Sequence, residues 1–468
     1  MAQISNVNES PASRRFQHKI SVLAGAGMFI DGFDVSVIAV ALPGLKKSWD
    51  ITSPLISGII ASSVVIGMFF GMMCGGMLVD KFGRRKMYMF DLVGFVVFAL
   101  LAALTQNVWQ LIFTRFALGI FIGADYPISS SMTAEFTAPF RRGRMIIFMS
   151  LLWQLGSFTA YLAGIALFNV GDQAWRWMLF LGAVIAAVVI VLRHSVPESP
   201  RWLRAQGRAA EAKRIEREVK REHDFTMSTA DTVAQAKGRW VDLFSPQSLR
   251  ATIFCSSFWF AFGVSFYGIQ MYTPTILTPF TEGRPHLAFL GAALIAFLGV
   301  VGAGLGMFTV ERFGRRKQIL SCFALMIIAL VTLALWTKPP LVPLIIMLSV
   351  TILAANLGPG VLNMVYPNEM FPTRLRGTGV GFAGSVSRIG SILGVLVFPL
   401  LVTNWGMNKA TWLFAGVAII GMIISFFLAP ETKGRSIAEV DQLADNGWRD
   451  RFGNRVFYGT YDDPNARV

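Results

Sequence analysis

The residues Gly75-Gly-Met-Leu-Val-Asp-Lys-Phe-Gly-Arg-Arg-Lys86 decide the architecture of this chain, because a close copy of them returns as Gly306-Met-Phe-Thr-Val-Glu-Arg-Phe-Gly-Arg-Arg-Lys317. The acidic residue of the second copy, Glu311, follows Asp80 of the first by 231 residues. A match of this length indicates an internal repeat.

Two further motifs repeat at nearly the same distance. Glu135 and Glu369, each followed seven residues later by Arg-Gly, lie 234 residues apart, and Pro197-Glu-Ser199 and Pro430-Glu-Thr432 lie 233 residues apart. Three concordant distances predict two related halves, an arrangement that places a site near the membrane midplane between them.

The composition is that of a polytopic membrane protein, with 54% hydrophobic and only 15% charged residues. A helix needs about 20 apolar residues to cross a bilayer. The first run carries two aspartates and no small-residue cleavage pattern follows it, so we interpret it as a membrane span and not as a signal peptide. The predicted spans, six in each half, are 20–44, 54–79, 87–105, 109–133, 145–168, 176–193, 251–279, 287–311, 318–337, 341–366, 377–403 and 411–429.

These spans divide the chain into five parts. We predict a cytoplasmic N-terminal tail (1–19), a six-helix bundle (20–193), a cytoplasmic linker with an amphipathic helix (194–250), a second six-helix bundle (251–430) and a cytoplasmic C-terminal tail (431–468). The linker helix is indicated by Ala212, Ile215 and Val219, which recur at helical spacing among charged residues.

The formal net charge of +15 would favour nucleic-acid binding in a soluble protein. Here the Lys and Arg residues cluster in the short loops that follow spans 2, 4, 8 and 10, which is the positive-inside pattern of a membrane protein and predicts cytoplasmic termini. We therefore expect no nucleic-acid partner. The three cysteines, Cys74, Cys255 and Cys322, lie in apolar segments without motif spacing, which favours buried thiols over disulfides or metal sites.

The chain resembles the major facilitator superfamily, specifically its sugar-porter and metabolite:proton symporter branch. The resemblance covers roughly residues 18 to 436. The motifs that carry it are the two Gly-Arg-Arg-Lys loops, Pro197-Glu-Ser-Pro-Arg-Trp-Leu203, Pro430-Glu-Thr-Lys-Gly434 and Arg115-x3-Gly119-x3-Gly123. It implies an all-α fold of twelve transmembrane helices in two pseudo-symmetric halves.

Within this branch the chain is more similar to bacterial aromatic-acid and sugar-acid:proton symporters than to hexose carriers. The segments that indicate this are Asp31-Gly-Phe-Asp34, Gly123-Ala-Asp-Tyr-Pro127, Tyr366-Pro-Asn-Glu-Met-Phe-Pro372 and Ser387-Arg-Ile-Gly390. The glutamine pair and asparagine of hexose carriers are missing from span 7, and their usual tryptophan is missing from span 10. These departures weigh against an ordinary hexose substrate.

Asp34 and Arg115 lie in the middle of spans 1 and 4. A charge at membrane depth persists where it is paired or faces a water-filled pathway. Burial favours a neutral carboxyl group, whereas a neighbouring guanidinium favours the carboxylate, so a proton can compete with the arginine. We predict that protonation of Asp34 loosens this pair and lets the halves move; a permanent structural ion pair is the alternative.

Two further aspartates are candidate proton sites. Asp31 lies three residues before Asp34 and therefore shares its helix face. The mutual repulsion favours a proton on one of the two, although Asp31 can instead cap a neighbouring helix. Asp125 lies ten residues from Arg115, or roughly 15 Å along a helix, and is either a second proton site or the partner of a polar neighbour.

Arg388 indicates the charge of the substrate. It lies among small residues about one-third into span 11, and a buried guanidinium can hold a carboxylate or phosphate through two parallel hydrogen bonds. We predict an anionic substrate; the alternatives are that Arg388 pairs with an acid such as Glu369 or only shapes a gate. Aromatic and amide side chains are further candidates for the cavity wall. They are Trp153, Gln154, Trp259, Tyr267, Gln270, Tyr272 and Asn363, with Gln270 and Asn363 preferred.

The repeated loops have a different predicted role. In the family that the chain resembles they form cytoplasmic latches between helix ends, which change transport rate more than substrate choice. The candidate latch residues are Asp80, Gly83, Arg84, Glu135 and Arg142 in the first half, and Glu311, Gly314, Arg315, Glu369 and Arg376 in the second.

Together these features predict a proton-coupled importer of a small organic anion in a bacterial inner membrane, a monomer without cofactor or metal that is driven by the proton gradient. It is not expected to be an enzyme, since no ATP-binding loop is present and Gly302-Ala-Gly-Leu-Gly306 lies inside span 8, where close packing explains it. The alternatives are a neutral sugar or polyol:proton symporter, an exporter, and a metabolite-sensing receptor that transports little.

Overall fold

The structure is a computed structural model that describes residues 10–137, 139–194, 196–225, 239–281, 284–336, 339–372 and 375–433, together with Leu443 and Trp448. Within these ranges the chain is helical and has no strand, and twelve helical segments are long and apolar enough to cross a membrane. The predicted all-α architecture of twelve spans is therefore confirmed.

The first half is formed by α1 (Pro11–Ser48), α2 (Pro54–Phe82), α3 (Arg84–Leu104), α4 (Val108–Glu135), α5 (Pro139–Leu167) and α6 (Ala174–Arg193). The linker contributes α7 (Pro200–Ala205) and α8 (Ala209–His223). The second half is formed by α9 (Leu249–Leu277), α10 (Pro285–Phe313), α11 (Arg315–Leu335), α12 (Leu341–Leu357), α13 (Pro359–Met370), α14 (Arg376–Trp405) and α15 (Met407–Leu428). Single 3-10 turns cover Phe168–Val170, Trp240–Phe244 and Thr278–Phe280.

Glycines set the close spacing of the helices in the first half. A methyl group on Gly67 of α2 would overlap the carbonyl oxygen of Phe116 on α4, and one on Gly156 of α5 would overlap that of Phe29 on α1. Because glycine has no side chain, the two helices approach until their backbones are in contact. Close packing of this kind stabilises helix pairs in membranes, where the hydrophobic effect does not drive helices together. The pairs α2–α4 and α1–α5 therefore form the frame of this half.

The two halves meet along α2 and α14, α5 and α10, and α1 and α9. We call the end of the molecule that carries the Gly83 and Gly314 loops the basic end, and the opposite end, where Lys47 forms an exposed ion pair of 2.7 Å with Asp172, the far end. The contact faces of the two halves enclose the site described below.

Two elements differ from the predicted spans. Helix α1 begins nine residues earlier than predicted, because Ser10 accepts a hydrogen bond from the backbone N–H of Ser13 and Pro11 suits the first helical turn. Span 10 is two helices, since Gly358 leaves helical geometry and Pro359 has no N–H to continue the ladder. Both boundaries follow from capping and proline chemistry, which hydropathy does not register.

Helix α8 is the predicted amphipathic linker helix and packs at the basic end. Its residues Ala212 and Val219 are buried, Val219 packs in one cluster with Phe16 of α1, and the Phe16 ring stacks on His223 with ring centroids 4.4 Å apart. Of the three cysteines, Cys255 and Cys322 are buried as predicted, whereas Cys74 is half-buried.

Candidate functional site

A small cavity lies between the halves, beside the break between α12 and α13. Its volume is about 40 Å³, and one water needs roughly 10–15 Å³ measured in this way. The cavity therefore holds only a few waters and must widen to admit a metabolite. Its wall is formed by Met28, Tyr126, Ser150, Trp153, Gln154, Trp259, Phe262, Phe266, Tyr267, Ala303, Asn356, Gly360, Asn363, Met364 and Arg388.

Arg388 of α14 is the only fully charged side chain in that wall. Its Nη1 donates to the Tyr267 hydroxyl at 2.7 Å and its Nε donates to the Met72 sulfur at 3.3 Å. The guanidinium carbon lies 5.0 Å from the ring centre of Tyr126 and 5.6 Å from that of Tyr267. Among the described residues, no carboxylate lies within ion-pair distance of Arg388. The cation is therefore held by aromatic faces and a hydroxyl, without a carboxylate in direct contact.

Amide groups join the two halves across this cavity. Gln154 of α5 donates from Nε2 to the Oδ1 of Asn356 at the end of α12, whose own Nδ2 donates to the carbonyl oxygen of Ile352. In the part of the chain that the structure describes, three buried polar atoms of the wall have no hydrogen-bond partner: Trp153 Nε1, Gln154 Oε1 and Asn363 Oδ1. Since buried polar atoms are normally satisfied, these are the atoms that a polar ligand or water would engage.

Two of the predicted cavity residues lie elsewhere. Gln270 is nearer the far end, where its Nε2 donates to the Ser157 hydroxyl at 2.6 Å. Tyr272 stacks on Phe398 with ring centroids 5.0 Å apart. Each helical residue turns the side chain by roughly 100°, so Tyr272 points about 140° away from Tyr267. The cavity thus brings together Trp153, Gln154, Trp259, Tyr267, Asn363 and Arg388 but not Gln270 or Tyr272.

The cavity wall also contains three residues with polar side chains that the sequence analysis did not select, namely Asn356, Tyr126 and Ser150. Asn356 is an amide in an otherwise apolar run, immediately before the Gly358-Pro359 break. Half-helix ends at mid-membrane depth are where transporters bind ligands, and this signal would have identified it. Tyr126 directly follows Asp125, and the sequence analysis selected the charged residue of this pair but not the aromatic one.

Asp34 and Arg115 are both buried and adjacent, but their charged groups do not touch. Arg115 Nη2 donates to the backbone carbonyl oxygen of Asp34 at 3.0 Å. The Asp34 carboxylate instead faces Gly182 of α6, where a methyl group would lie 2.7 Å from both its oxygens. Within the described residues, neither carboxylate oxygen has a hydrogen-bond partner, and neither has Arg115 Nε or Nη1. The Asp34 carboxylate and the Arg115 guanidinium are therefore close to each other but do not form an ion pair.

Asp125 lies in a separate ion pair on the same half. Its Oδ1 and Oδ2 accept hydrogen bonds from Arg193 of α6 at 3.0 and 3.3 Å, and the Ser129 hydroxyl donates to Oδ1 at 2.9 Å. Asp31 is buried one turn away from Asp34 and lies within electrostatic range of Asp125, Arg193 and Arg388. Sequence analysis missed Arg193, because it sits at the very end of its span, where a cation usually reaches the membrane surface.

The repeated loops at the basic end share one capping arrangement. Glu198 accepts hydrogen bonds from the backbone N–H groups of Arg84 and Arg85, each at 3.0 Å, and Glu431 accepts them from Arg315 and Arg316 at 3.0 and 3.1 Å. Each carboxylate therefore sits at the N-terminus of α3 or α11, where the helix dipole favours negative charge. The preceding glycines, with φ of +97° and +86° respectively, make the tight turn into the helix.

Four of the five predicted latch residues of the second half, Glu311, Gly314, Arg315 and Glu369, are brought together. Arg315 forms ion pairs of 3.0 Å with both Glu311 and Glu369, and Gly314 lies against Glu431. Arg376 begins α14. In the first half Gly83 and Arg84 stand at the corresponding turn. The side chains of Asp80, Glu135 and Arg142 lie outside the described residues, so the latch of that half stays a prediction.

A second, open groove of about 970 Å³ lies on the surface at the basic end, apart from the central cavity. It runs between the start of α1 and the end of α6. Its wall consists of Arg14, Arg15, His18, Lys19, Val22, Leu23, Val191, Leu192 and His194. Its basic side chains lie outside the loops in which the sequence analysis located the Lys and Arg clusters, and its wall shares no residue with the wall of the central cavity.

Comparison with known proteins places the fold in a large group of transporters. The family described as "Sugar (and other) transporter" matches residues 20–444. The putative metabolite transport protein YaaU of Escherichia coli (strain K12) is 31% identical over 432 residues, which cover 92% of this chain and 96% of that protein. The arabinose-proton symporter of Bacillus subtilis (strain 168) is 28% identical, over 91% of this chain and 94% of that protein.

A solved structure shares the arrangement of helices. The major facilitator superfamily proton:xylose symporter XylE, bound to 6-bromo-6-deoxy-D-glucose, superimposes with a TM-score of 0.75. The match covers 92% of this chain and 99% of that one, at 20% sequence identity. At this identity the likeness concerns the fold.

Proposed function

This chain belongs to the sugar (and other) transporter family of the major facilitator superfamily, and on that premise we propose that it imports a small organic anion together with protons by alternating access. Members of this family are membrane transporters and not enzymes. The proposed setting is a bacterial inner membrane, with the chain acting as a monomer and with both termini in the cytoplasm, the side to which positive loops are retained. An aromatic acid, a sugar acid or a similar carboxylate is the proposed cargo.

The observation that carries this proposal is the environment of Arg388. A buried guanidinium without a carboxylate partner retains a large part of its desolvation cost. An anionic substrate that enters the cavity would supply the missing charge and accept two parallel hydrogen bonds. The alternative in which Arg388 pairs with Glu369 has no support, since Glu369 binds Arg315 at the basic end.

Proton coupling is proposed at Asp34, with Arg115 as its partner. When Asp34 is charged, the nearby guanidinium attracts its carboxylate across α1 and α4; when it is protonated, that attraction is lost. Because the two groups are close but not bonded, a small movement of α1 makes or breaks the pair. Two proteins similar to this chain are described as proton symporters, which supports coupling to the same ion.

A second candidate is transport of a neutral sugar or polyol with protons. It is favoured by the amides Gln154, Asn356 and Asn363 and by Trp153 in the cavity wall, since amides and polar-tipped aromatics bind hydroxyl groups. In that case Arg388 would only hold Tyr267 and Tyr126 in place. The names of the similar arabinose and xylose symporters support this reading equally.

The deciding experiment is uptake from a mixed metabolite pool into proteoliposomes under an inward proton gradient. Mass spectrometry then identifies what concentrates inside. The proposal expects carboxylates to accumulate, Arg388→Gln to abolish their binding, and Asp34→Asn to keep binding but lose accumulation. Accumulation of neutral sugars that survives Arg388→Gln would favour the second candidate. If ligands stabilise the protein but nothing concentrates, a receptor or an exporter is the better description.

A further inference from the structure

Four charged side chains meet in the first half, away from the central cavity and toward the basic end. They are Asp31 of α1, Asp91 of α3, Asp125 of α4 and Arg193 of α6, and none is more than 3% exposed. Asp91 and Arg193 have no role in the transport steps proposed above. Three carboxyl groups therefore share one fully buried guanidinium.

Arg193 joins three helices in this cluster. Besides its two hydrogen bonds to Asp125, its Nη1 lies 3.9 Å from Asp91 Oδ2, and its Nε donates to the carbonyl oxygen of Leu23 on α1 at 3.1 Å. The guanidinium also lies 3.8 Å above the ring of Tyr88. Gly27 leaves the space for this approach, because a methyl group there would overlap Arg193 and Asp125. The guanidinium thus ties α1 to α4 and α6.

The convergence of the acids on one cation favours a shared proton. Asp91 Oδ2 and Asp125 Oδ1 lie 3.9 and 3.0 Å from the same nitrogen of Arg193, Nη1. Two carboxylates held this close to one cation also repel each other, and a proton on one of them relieves that repulsion. The charge count agrees, since Arg193 neutralises only one of the three acids, and an unpaired carboxylate buried away from water is strongly unfavourable.

A second observation comes from Asp31. Its Oδ2 is buried and, within the described residues, has no hydrogen-bond partner. Asp31 lies within electrostatic range of Asp125, Arg193, Arg388 and Asp34. Asp31 Oδ2 is therefore a hydrogen-bond acceptor without a partner among the described residues, at the edge of the cluster and on α1, the helix to which Arg193 also bonds.

We propose that Asp91 and Asp125 form a second proton-binding site of the transport cycle, in which the two carboxyl groups share one proton beside Arg193 and exchange it with Asp31. In the exchange an O–H bond breaks at the pair and forms at Asp31 Oδ2, so the number of protons is unchanged. Loss of the proton leaves two carboxylates on Arg193 and alters its hold on α1. This proposal deepens the proton coupling proposed above and rests on it.

The direct test is infrared difference spectroscopy of the full-length protein in lipid, which detects the C=O stretch of protonated carboxyl groups. In an Asp34→Asn background, which removes the band of the first proton site, the protein should show a protonated carboxyl band that disappears as the pH rises, with the uptake of about one proton per protein on the return to low pH. Asp91→Asn should remove this band and this proton. Asp172→Asn, at an exposed far-end acid, should leave both unchanged.

A transport measurement distinguishes a proton that is bound and released in each transport cycle from one that stays bound throughout. Once a substrate is known, Asp91→Asn should lower the number of protons moved per substrate and change the pH profile of uptake, whereas Asp91→Glu should restore both. If the Asn variant does not fold, the Glu variant still tests the site, because it should keep the band and shift its pH midpoint.

Two results would overturn the proposal. One is a band that Asp91→Asn and Asp91→Glu both leave unaltered; the other is a band that persists at every pH, which would make the proton structural. Failure of the proposed function is distinguishable, since it would appear as wild-type uptake that ignores the proton gradient and the Asp34→Asn substitution.

Discussion

At the scale of single residues, the position of the Asp34 carboxylate depends on a glycine. Gly182 of α6 is the residue that this carboxylate faces, and a methyl group there would lie 2.7 Å from both oxygens. That separation is shorter than a van der Waals contact, so a side chain at position 182 must displace Asp34. Arg115 Nε and Nη1, which have no hydrogen-bond partner among the described residues, would attract the displaced carboxylate.

We therefore predict that Gly182→Ala impairs proton-driven uptake while leaving substrate binding intact. Overpacking a buried site costs about 1–3 kcal/mol, enough to slow a coupled step about tenfold or more. Thermal unfolding in detergent and gradient-driven uptake measure the two effects. Gly416→Ala is the matched control, because nothing lies within 4 Å of a methyl group there; equal losses in both variants would contradict the prediction.

Arg388 depends on its hydroxyl partner. Tyr267→Phe removes the acceptor of its 2.7 Å hydrogen bond and leaves the aromatic face in place. Hydrogen bonds to charged groups contribute about 1.5–3 kcal/mol, so we expect at least a tenfold weaker affinity for an anionic substrate, as measured by calorimetry.

The same helix offers a control for this substitution. The Tyr272 hydroxyl is buried without a partner among the described residues and lies outside the cavity wall. Tyr272→Phe should therefore leave the affinity for the substrate unchanged, and it should leave the stability of the protein unchanged or slightly higher. Unaltered binding in Tyr267→Phe would mean that the hydroxyl does not position Arg388.

At the scale of elements, each half fixes a helix N-terminus with a glutamate from the chain segment that follows its sixth span. Glu431 accepts two backbone N–H bonds at the start of α11 and also lies against Gly314. We predict that Glu431→Gln destabilises the second half by about 1–3 kcal/mol, because a charge-assisted cap is lost.

The expected signature is a lower unfolding temperature and slower transport at unchanged substrate affinity, measured on the same preparation. Glu211→Gln provides the control, since the Glu211–Arg208 ion pair is exposed to solvent and such pairs contribute little to stability. A change in affinity without a change in stability would argue against a purely structural cap.

The sequence predicted the elements better than their local chemistry. The internal repeat and the apolar runs give the number, order and pairing of the spans, because both depend on hydrophobicity over many residues. They do not give the break at Gly358-Pro359, which depends on the chemistry of two residues, or the positions of Gln270, which lies one turn beyond Tyr267 and bonds Ser157, and of Tyr272, which is rotated about 140° from Tyr267. Asp91 was missed although it carries the same signal as Asp125, a charge inside an apolar run.

The repeat also predicted which residues act together at the basic end without predicting how. Pro197-Glu-Ser199 and Pro430-Glu-Thr432 were recognisable as equivalent. Their shared task, to cap the helix that begins with two arginines, needs the distance between segments more than 100 residues apart in sequence. Such contacts are set by tertiary packing and leave no local pattern.

At the scale of the whole molecule, hydrogen bonds between the halves close the far end above the cavity. Gln270 of α9 donates to Ser157 of α5, which in turn bonds Ser36 of α1 at 2.7 Å. The Tyr161 hydroxyl of α5 donates to the backbone carbonyl oxygen of Gln270 at 2.5 Å. With a cavity of only about 40 Å³ below it, this cluster must part before a substrate can enter from that side.

If the protein works by alternating access, the hydrogen bond from Tyr161 to Gln270 must break each time the far end opens. Tyr161→Phe removes one hydrogen bond of about 1 kcal/mol that exists only while the far end is closed, so it should shift the closed-to-open ratio about fivefold toward the open state. Spin labels can be attached at Lys46→Cys and Lys409→Cys, which are exposed far-end positions on opposite halves, after the three native cysteines are replaced by serine. Opening of the far end would then appear as a larger population of long distances between the two labels. Thr159→Val is the control, because its hydroxyl bonds only within α5. If both variants give the wild-type distance distribution, the far-end closure rests on apolar packing between the halves and not on this hydrogen bond.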